Sequence, residues 1–277
     1  MTEQQHRLRS AALAVAAVVG ASVLGGSLSG CADGRADART GEVDPVRAVR
    51  DASAALSRAG TSKARTSMEM AAGGTRVTIR GEGAYDFRQR VGRLKVVLPQ
   101  DASGAEEHRP IIELLAPGAL YMKNRGAGVP ADKWVRIDTH ELVDGNLVTG
   151  GATDPAAAVE LLRGASEVRY VGEAELAGVK VRHYRGTTDL ARAAKVASPQ
   201  VRGALAAAAK GFARDEVPFD AYLDEEGRLR KVRHRFSYPS QGRTVAVAST
   251  TLLYGFGSPV EVRLPHARDI YAGRIEA

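Results

Sequence analysis

The chain is poor in cysteine, aromatic rings and long apolar runs. It holds one cysteine in 277 residues, so no intramolecular disulfide is open to it and the fold must be held by its core. Aromatic residues are 5% of the chain, with a single Trp, and much of the apolar content is Ala and Val. No stretch reaches the roughly 20 apolar residues that a membrane-crossing helix needs. Signatures of common chemistry are missing as well: there is no nucleophile elbow, phosphate loop, Ser-x-x-Lys pair or dinucleotide fingerprint. The histidines His108, His140, His183, His234 and His266 show no metal-pair spacing. The paired acids Glu106 and Glu107, and the run Asp224 to Glu226, sit beside turn signals and read as solvated turns. The sequence is therefore read as that of a non-enzyme with no catalytic residues, metal or cofactor.

The one cysteine is well placed for another task. Ahead of it lie a basic segment with Arg7 and Arg9 and then an uncharged run from Ala11 to Leu24, which "GGSLSG" breaks up. A positive region, an apolar region too short to span and a patch of small residues make the pattern of an export signal. A buried free thiol is the ordinary reading of a lone Cys, but Cys31 is flanked by small residues and followed by a polar stretch that has nothing to bury it. Residues 28–31, "LSGC", resemble the bacterial lipobox. That resemblance implies a diacylglyceryl group on the sulfur of Cys31, a signal peptide at 1–30 and cleavage after Gly30. Two or more acyl chains make a stable anchor, at ~0.8 kcal/mol for each buried methylene. The expected location is the outer face of the cell membrane, lipid-anchored.

Residues 31–44 have no hydrophobic period and read as a lipidated N-terminus and flexible tether, with a reach of about 20 Å. From residue 45 to 277 the pattern is that of a single domain. Asp44 and Pro45 open a helix expected to run to Gly60. Thereafter short β-branched and aromatic runs dominate, including "TRVTIRGEGAYDF", "VGRLKVVL", "RPIIELLAPG", "ALYMKN" and "KWVRID". "TDPAAAVELLRG" reads as a short helix with Leu161 and Leu162 inward. A strand pair turns at Ala177 and Gly178, and a helical region follows at 189–212, holding "DLARAAKVA" and then "SPQVRGALAAAAKGF", the latter opened by a Ser and Pro pair. Strands return at "VPFDAYLD", "RLRKVRHRFSY", "RTVAVASTTLLY" and "VEVRLP". The expectation is an α+β fold: one antiparallel sheet of about ten or eleven strands with three or four helices, large enough to be strongly curved.

"YVGEAELAGVKVRHYRGTTDL", "PFDAYLDEEGRLRKV" and "KWVRID", behind a lipobox, resemble the LppX and LprG family of bacterial lipoproteins, which shares a half-barrel fold with LolA and LolB. The resemblance spans roughly Pro45 to Pro265. It implies a curved sheet with helices over its concave face, an apolar cavity for acyl chains, and a role in carrying or presenting lipid in the bacterial envelope. Only Cys31 transfers residue by residue.

Within the 199–212 segment, Val201, Leu205, Ala208 and Phe212 form an inward stripe, with Ala204, Ala207 and Gly211 beside it. An ordinary core helix has the same stripe, and only the resemblance turns it, with Leu161 and Leu162, into the lining of a ligand cavity. Scarce aromatics suggest that helices of this composition fill the concavity poorly. The charge balance is basic, formally +7, and is densest in "RLRKVRHR". There strand alternation puts Arg233 and Arg235 on one face and Val232, His234 and Phe236 on the other. For an exported chain without a nucleic-acid-reading module, the fitting anionic partners are lipid headgroups or wall polymers. The sequence leaves two readings: an anchored carrier or displayer of an amphiphilic ligand, and a filled-core lipoprotein serving as structural or signalling partner of another envelope protein.

Overall fold

The computed structural model describes residues 44–72, 75–99, 109–126, 128–240 and 242–273. The signal segment and Cys31 lie outside them, as does the tether up to residue 43. Among the described residues, eleven strands form one antiparallel sheet that does not close into a barrel. They are β1 (Thr61–Ala72), β2 (Thr75–Asp86), β3 (Val91–Val97), β4 (Ile111–Ala116), β5 (Ala119–Lys123), β6 (Val135–Asp138), β7 (Ala165–Leu176), β8 (Val179–Asp189), β9 (Glu216–Leu223), β10 (Leu229–Ser240) and β11 (Arg243–Tyr254). The α-helices are α1 (Pro45–Arg50), α2 (Ala52–Ala59), α3 (Pro155–Leu161), α4 (Leu190–Val196) and α5 (Pro199–Gly211).

The sheet order is β6-β5-β4-β3-β2-β1-β11-β10-β9-β8-β7. Neighbours in space are neighbours in sequence everywhere except at the central β1–β11 pair. The meander is thus a ring opened between β6 and β7, which become the two edges, and residues 139–164 must carry the chain from one edge to the other. This crossover runs over the inner face of the sheet: Thr153 shares a 2.5 Å hydrogen bond with Ser249 of β11. A Cβ on Gly151 would lie 3.4 Å from Ile79.

Side-chain alternation sets the two faces. In β3, Gly92, Leu94 and Val96 are buried while Arg93, Lys95 and Val97 are exposed. The same parity in neighbouring strands lines the inner face with Met68, Ile79, Leu94, Val96, Phe219 and Phe236, all buried. In β10, Val232, His234 and Phe236 point inward and Arg233 and Arg235 outward, as alternation requires.

Two departures from the expected elements have local causes. The first helical region is split at Asp51, whose amide is shared between Arg47 and Val49 carbonyls, and this break gives five α-helices where three or four were expected. The region 189–212 divides as its Ser and Pro pair signals: Ala197 is extended and α5 starts afresh at Pro199. "VEVRLP" makes no ladder; the C-terminal segment instead reaches β6, where Trp134 N donates to Asp269 O and Tyr271 N to Trp134 O, each at 2.8 Å. Expected punctuation elsewhere is in place. Asp44 Oδ1 accepts from Val46 N at 3.0 Å ahead of Pro45, and Asp154 Oδ1 from Ala156 N at 2.7 Å ahead of Pro155.

Candidate functional site

The candidate site is the space between the inner face of the sheet and the layer made by α3, α4, α5 and the crossover. Leu161, Leu162, Leu205 and Ala208 have no exposed surface, Phe212 is buried, and Val201 is partly buried against the same core. The stripe therefore does face inward. Phe212 rests on Phe236 and Tyr238, with ring centroids 5.0 and 5.6 Å apart. The small residues beside the stripe serve a different contact. A Cβ on Gly211 would lie 1.8 Å from Val143 O, and one on Gly145, whose φ is +57°, would lie 2.0 Å from Ala204 O. Here α5 and the crossover backbone touch directly.

The concavity is consequently better filled than the scarce aromatics suggest, because the crossover adds a second layer of chain to the helices. The hollow edged by Val201, Tyr85, Asn146 and Asp154 is about 30 Å³, enough for a water or two and far short of an acyl chain. Beside Leu161, Leu162, Leu190 and Leu205, the helix layer buries many small side chains: Ala156, Ala157, Ala158, Ala193, Ala194 and Ala208.

The layer is tied down at the start of α5 and along α3. Arg90, in the β2–β3 turn, donates to the hydroxyl of Ser198 and, at 2.5 Å, to Gln200 Oε1. Glu160 of α3 accepts from Ser198 N at 3.0 Å, from Ser53 Oγ at 2.7 Å and from Arg163 at 2.9 Å. At the far end, Ala213 N donates to Ser237 O at 2.9 Å.

The interior also contains polar groups that the sequence did not single out. Glu113 of β4 is fully buried, and among the described residues neither carboxyl oxygen has a hydrogen-bond partner. Burial, with Arg125 opposing and Asp154 adding, pushes it up to about 8, so it is a neutral acid at physiological pH. Burial also raises Asp154 to about 6, against the hydrogen bonds it accepts from the Ala156 and Ala157 amides and Tyr85. Nearer the centre, Thr66 and Thr251 stand opposite one another on β1 and β11, both buried and with unpartnered hydroxyls. His234 is buried without a partner for Nε2, and desolvation lowers it to about 3. The parity of "IIELL" was the signal for Glu113, since Ile111 and Leu115 flank it on the inner face.

The outer face holds a different cluster. Asp220 receives Arg185 Nε at 2.8 Å and Arg235 at 2.7 Å, and pairs with His183 Nε2 at 2.8 Å. Burial alone would raise this carboxyl, but those hydrogen bonds outweigh it and hold it at about 2, which makes it a poor base. His183 stacks on Tyr222 at 4.3 Å. Among the described residues, no group of three His, Cys, Asp or Glu is arranged to hold a metal. No helix among them is long and apolar enough to cross a membrane. Cys31 and His108 lie outside the described residues.

No protein-family model and no curated protein matches the chain. Solved structures do. The chain is similar to the lipoprotein LppX of Mycobacterium tuberculosis. Identity is 10%, the TM-score 0.46, and the match covers 79% of this chain and 97% of LppX. LprF of Mycobacterium bovis follows at 14% identity and a TM-score of 0.41, covering 80% and 96% of the two chains. A LolA-superfamily protein of Nitrosomonas europaea has 11% identity and a TM-score of 0.35, covering 76% and 94%. LppX and LolA are among the names in the sequence resemblance; LprF is not. The half-barrel description rests on the sheet's own topology.

Proposed function

We propose that this chain is an exported lipoprotein, anchored to the outer face of the cell membrane by acyl groups on Cys31. Its half-barrel takes up an amphiphilic or acyl-chain ligand beneath α3, α4 and α5 and carries or displays it in the envelope. The observation that carries the binding half of this reading is the asymmetry of the interior. The sheet presents large apolar side chains, and the cover over it buries many alanines beside Leu161, Leu162, Leu205 and Phe212. Where the contact is through alanine it interlocks little, so lifting the cover would expose an apolar trough without unfolding the sheet. In the closed form described here the trough is occupied by the cover itself.

Arg90 and Glu160 hold the cover down at the start of α5. Removing the Arg90 contacts should therefore speed exchange of a fluorescent fatty acid while leaving the sheet intact. The anchor is tested separately. Metabolic labelling with a fatty acid should mark the parent and spare Cys31→Ser, and equal label in both would refute the anchor.

One observation favours a second reading. Four of the six expected lining residues have no exposed surface, and the hollow beside Val201 is about 30 Å³, which is the condition of a filled-core lipoprotein acting as a structural or signalling partner of another envelope protein. A parent protein that binds no fatty acid, with or without the Arg90 contacts, selects that reading.

A further inference from the structure

The outward face of the sheet is as specialised as the inward one. Strand parity places Arg65 of β1, Arg80 of β2, Lys95 of β3 and Lys231, Arg233 and Arg235 of β10 on that face. Three of its carboxylates, on β1, β2 and β9, are already engaged. Glu69 is met by Arg233 at 3.2 Å, Glu82 by Arg65 at 4.0 Å, and Asp220 by three donors. Carboxylates consumed within the face leave it a surplus of positive charge.

Between β3, β2, β1 and β11 this face also has a groove of about 580 Å³. It is lined by Arg65, Arg80 and Lys95, by Glu82, which stands between Arg65 and Lys95 across the strands, and by the apolar Val97 and Leu98 at one rim and Leu252 at the other. Val97 is 47% exposed and Leu252 37% exposed. The two lie on opposite sides of the groove, since Arg80 pairs with Val97 of β3 and Arg65 with Leu252 of β11, and β2 and β1 run between them. Cations between exposed apolar rims match an anionic group continued by hydrocarbon. A water-soluble polyanion would use the cations and gain nothing from Val97 and Leu252.

We propose that the outward face of β1, β2, β3, β10 and β11 rests on anionic phospholipid headgroups, with one phosphate seated between Arg65, Arg80 and Lys95 and the start of its chains against Val97 and Leu252. The inference rests on the anchored reading above only for bringing the membrane within reach: a tether of about 20 Å keeps the domain close to the bilayer. Each basic residue near an anionic surface strengthens binding by about fivefold, and salt weakens the attraction. Held this way, the sheet turns its helix-covered side away from the bilayer.

The test uses the full chain as Cys31→Ser, which has no acyl anchor, sedimented with vesicles of phosphatidylcholine alone or mixed with phosphatidylglycerol. Association with the neutral vesicles measures the signal segment and is the baseline. Binding to the anionic vesicles should rise at least tenfold above it and fall back in high salt. Arg80→Gln with Lys95→Gln should lower it more than tenfold, whereas Lys195→Gln with Lys210→Gln, on the helix side, should leave it unchanged. Matching thermal melts show that the variants are folded. Leu252→Ser separates lipid from polymer, since it should weaken vesicle binding and leave binding of a soluble polyphosphate as it was. Equal binding to both vesicle types, an unaffected groove variant, or polyphosphate bound as tightly as vesicles overturns the proposal. Because the anchor is absent throughout, failure here leaves the labelling result at Cys31 standing, and failure of labelling leaves this face standing.

Discussion

Ser53 of α2 donates its hydroxyl to Glu160 Oε1 of α3 at 2.7 Å, joining two helices 107 residues apart in the chain. The other oxygen of the same carboxylate receives Ser198 N, which links both helices to the start of α5. One buried carboxylate thus gathers three of the helices that cover the sheet.

Glu160→Ala should be costly for that reason. It strands the Ser198 amide, the Ser53 hydroxyl and part of Arg163, and hydrogen bonds to a charged group are worth about 1.5–3 kcal/mol each. Arg163 is partly solvated, so its share is smaller. A loss of about 2–4 kcal/mol in urea unfolding is expected, with amide exchange quickening in α3 and α5 before the central strands. Uniform quickening would mean that the cover and sheet open as one unit.

A gain is expected at the β7–β8 turn. Ala177 and Gly178 have φ of +50° and +81°, the signature of a type I′ hairpin turn, which favours Asn or Gly at its first position. Ala177→Gly should stabilise by about 0.5–1 kcal/mol, read as a raised melting temperature, since a Cβ is disfavoured in the left-handed region. Ala177→Val should move it the other way.

Glu113 gives a pH dependence of definite sign. Its folded value of about 8 lies above the ordinary 4.5 of the side chain, so the folded state binds the extra proton and stability falls as pH rises through that interval. Asp154, shifted from 3.8 to about 6, adds to the fall only below pH 6. His234, lowered from 6.5 to about 3, contributes the opposite slope below pH 6.5. Between pH 6.5 and 8 the Glu113 effect stands alone, at up to about 1.4 kcal/mol per pH unit. Unfolding of Glu113→Gln should lose that fall with pH. An unchanged profile would place the titration elsewhere.

The local grammar of the fold was legible because it depends on neighbours in sequence. Asp-Pro helix starts, the turn at Ala177 and Gly178, and the inward parity of Val232, His234 and Phe236 follow from spacing alone. The central β1–β11 pairing and the crossover at 139–164 depend on residues far apart, and no periodicity encodes them. That crossover is what fills the concavity, so the extent of empty space was beyond a reading of helix composition. For the candidate site, the direction of the Leu205 and Ala208 stripe was readable. The Ser53–Glu160 tie was not, because polar residues in helical runs ordinarily face solvent and only the packing of three helices buries these two. Glu113 stood between apolar neighbours on the inner parity, a signal that goes with buried acids.

The central claim is that the half-barrel takes up a lipid beneath its helical cover, and native mass spectrometry of the Cys31→Ser full chain, purified without detergent and then incubated with a mixture of bacterial envelope lipids, tests it most directly. The account predicts a one-to-one complex carrying a lipid-sized mass increment that is released on collisional activation, formed faster when Arg90 is changed to Ala. A chain that stays at its bare mass in both forms, while melting cooperatively, would contradict the account and leave the filled-core reading in its place.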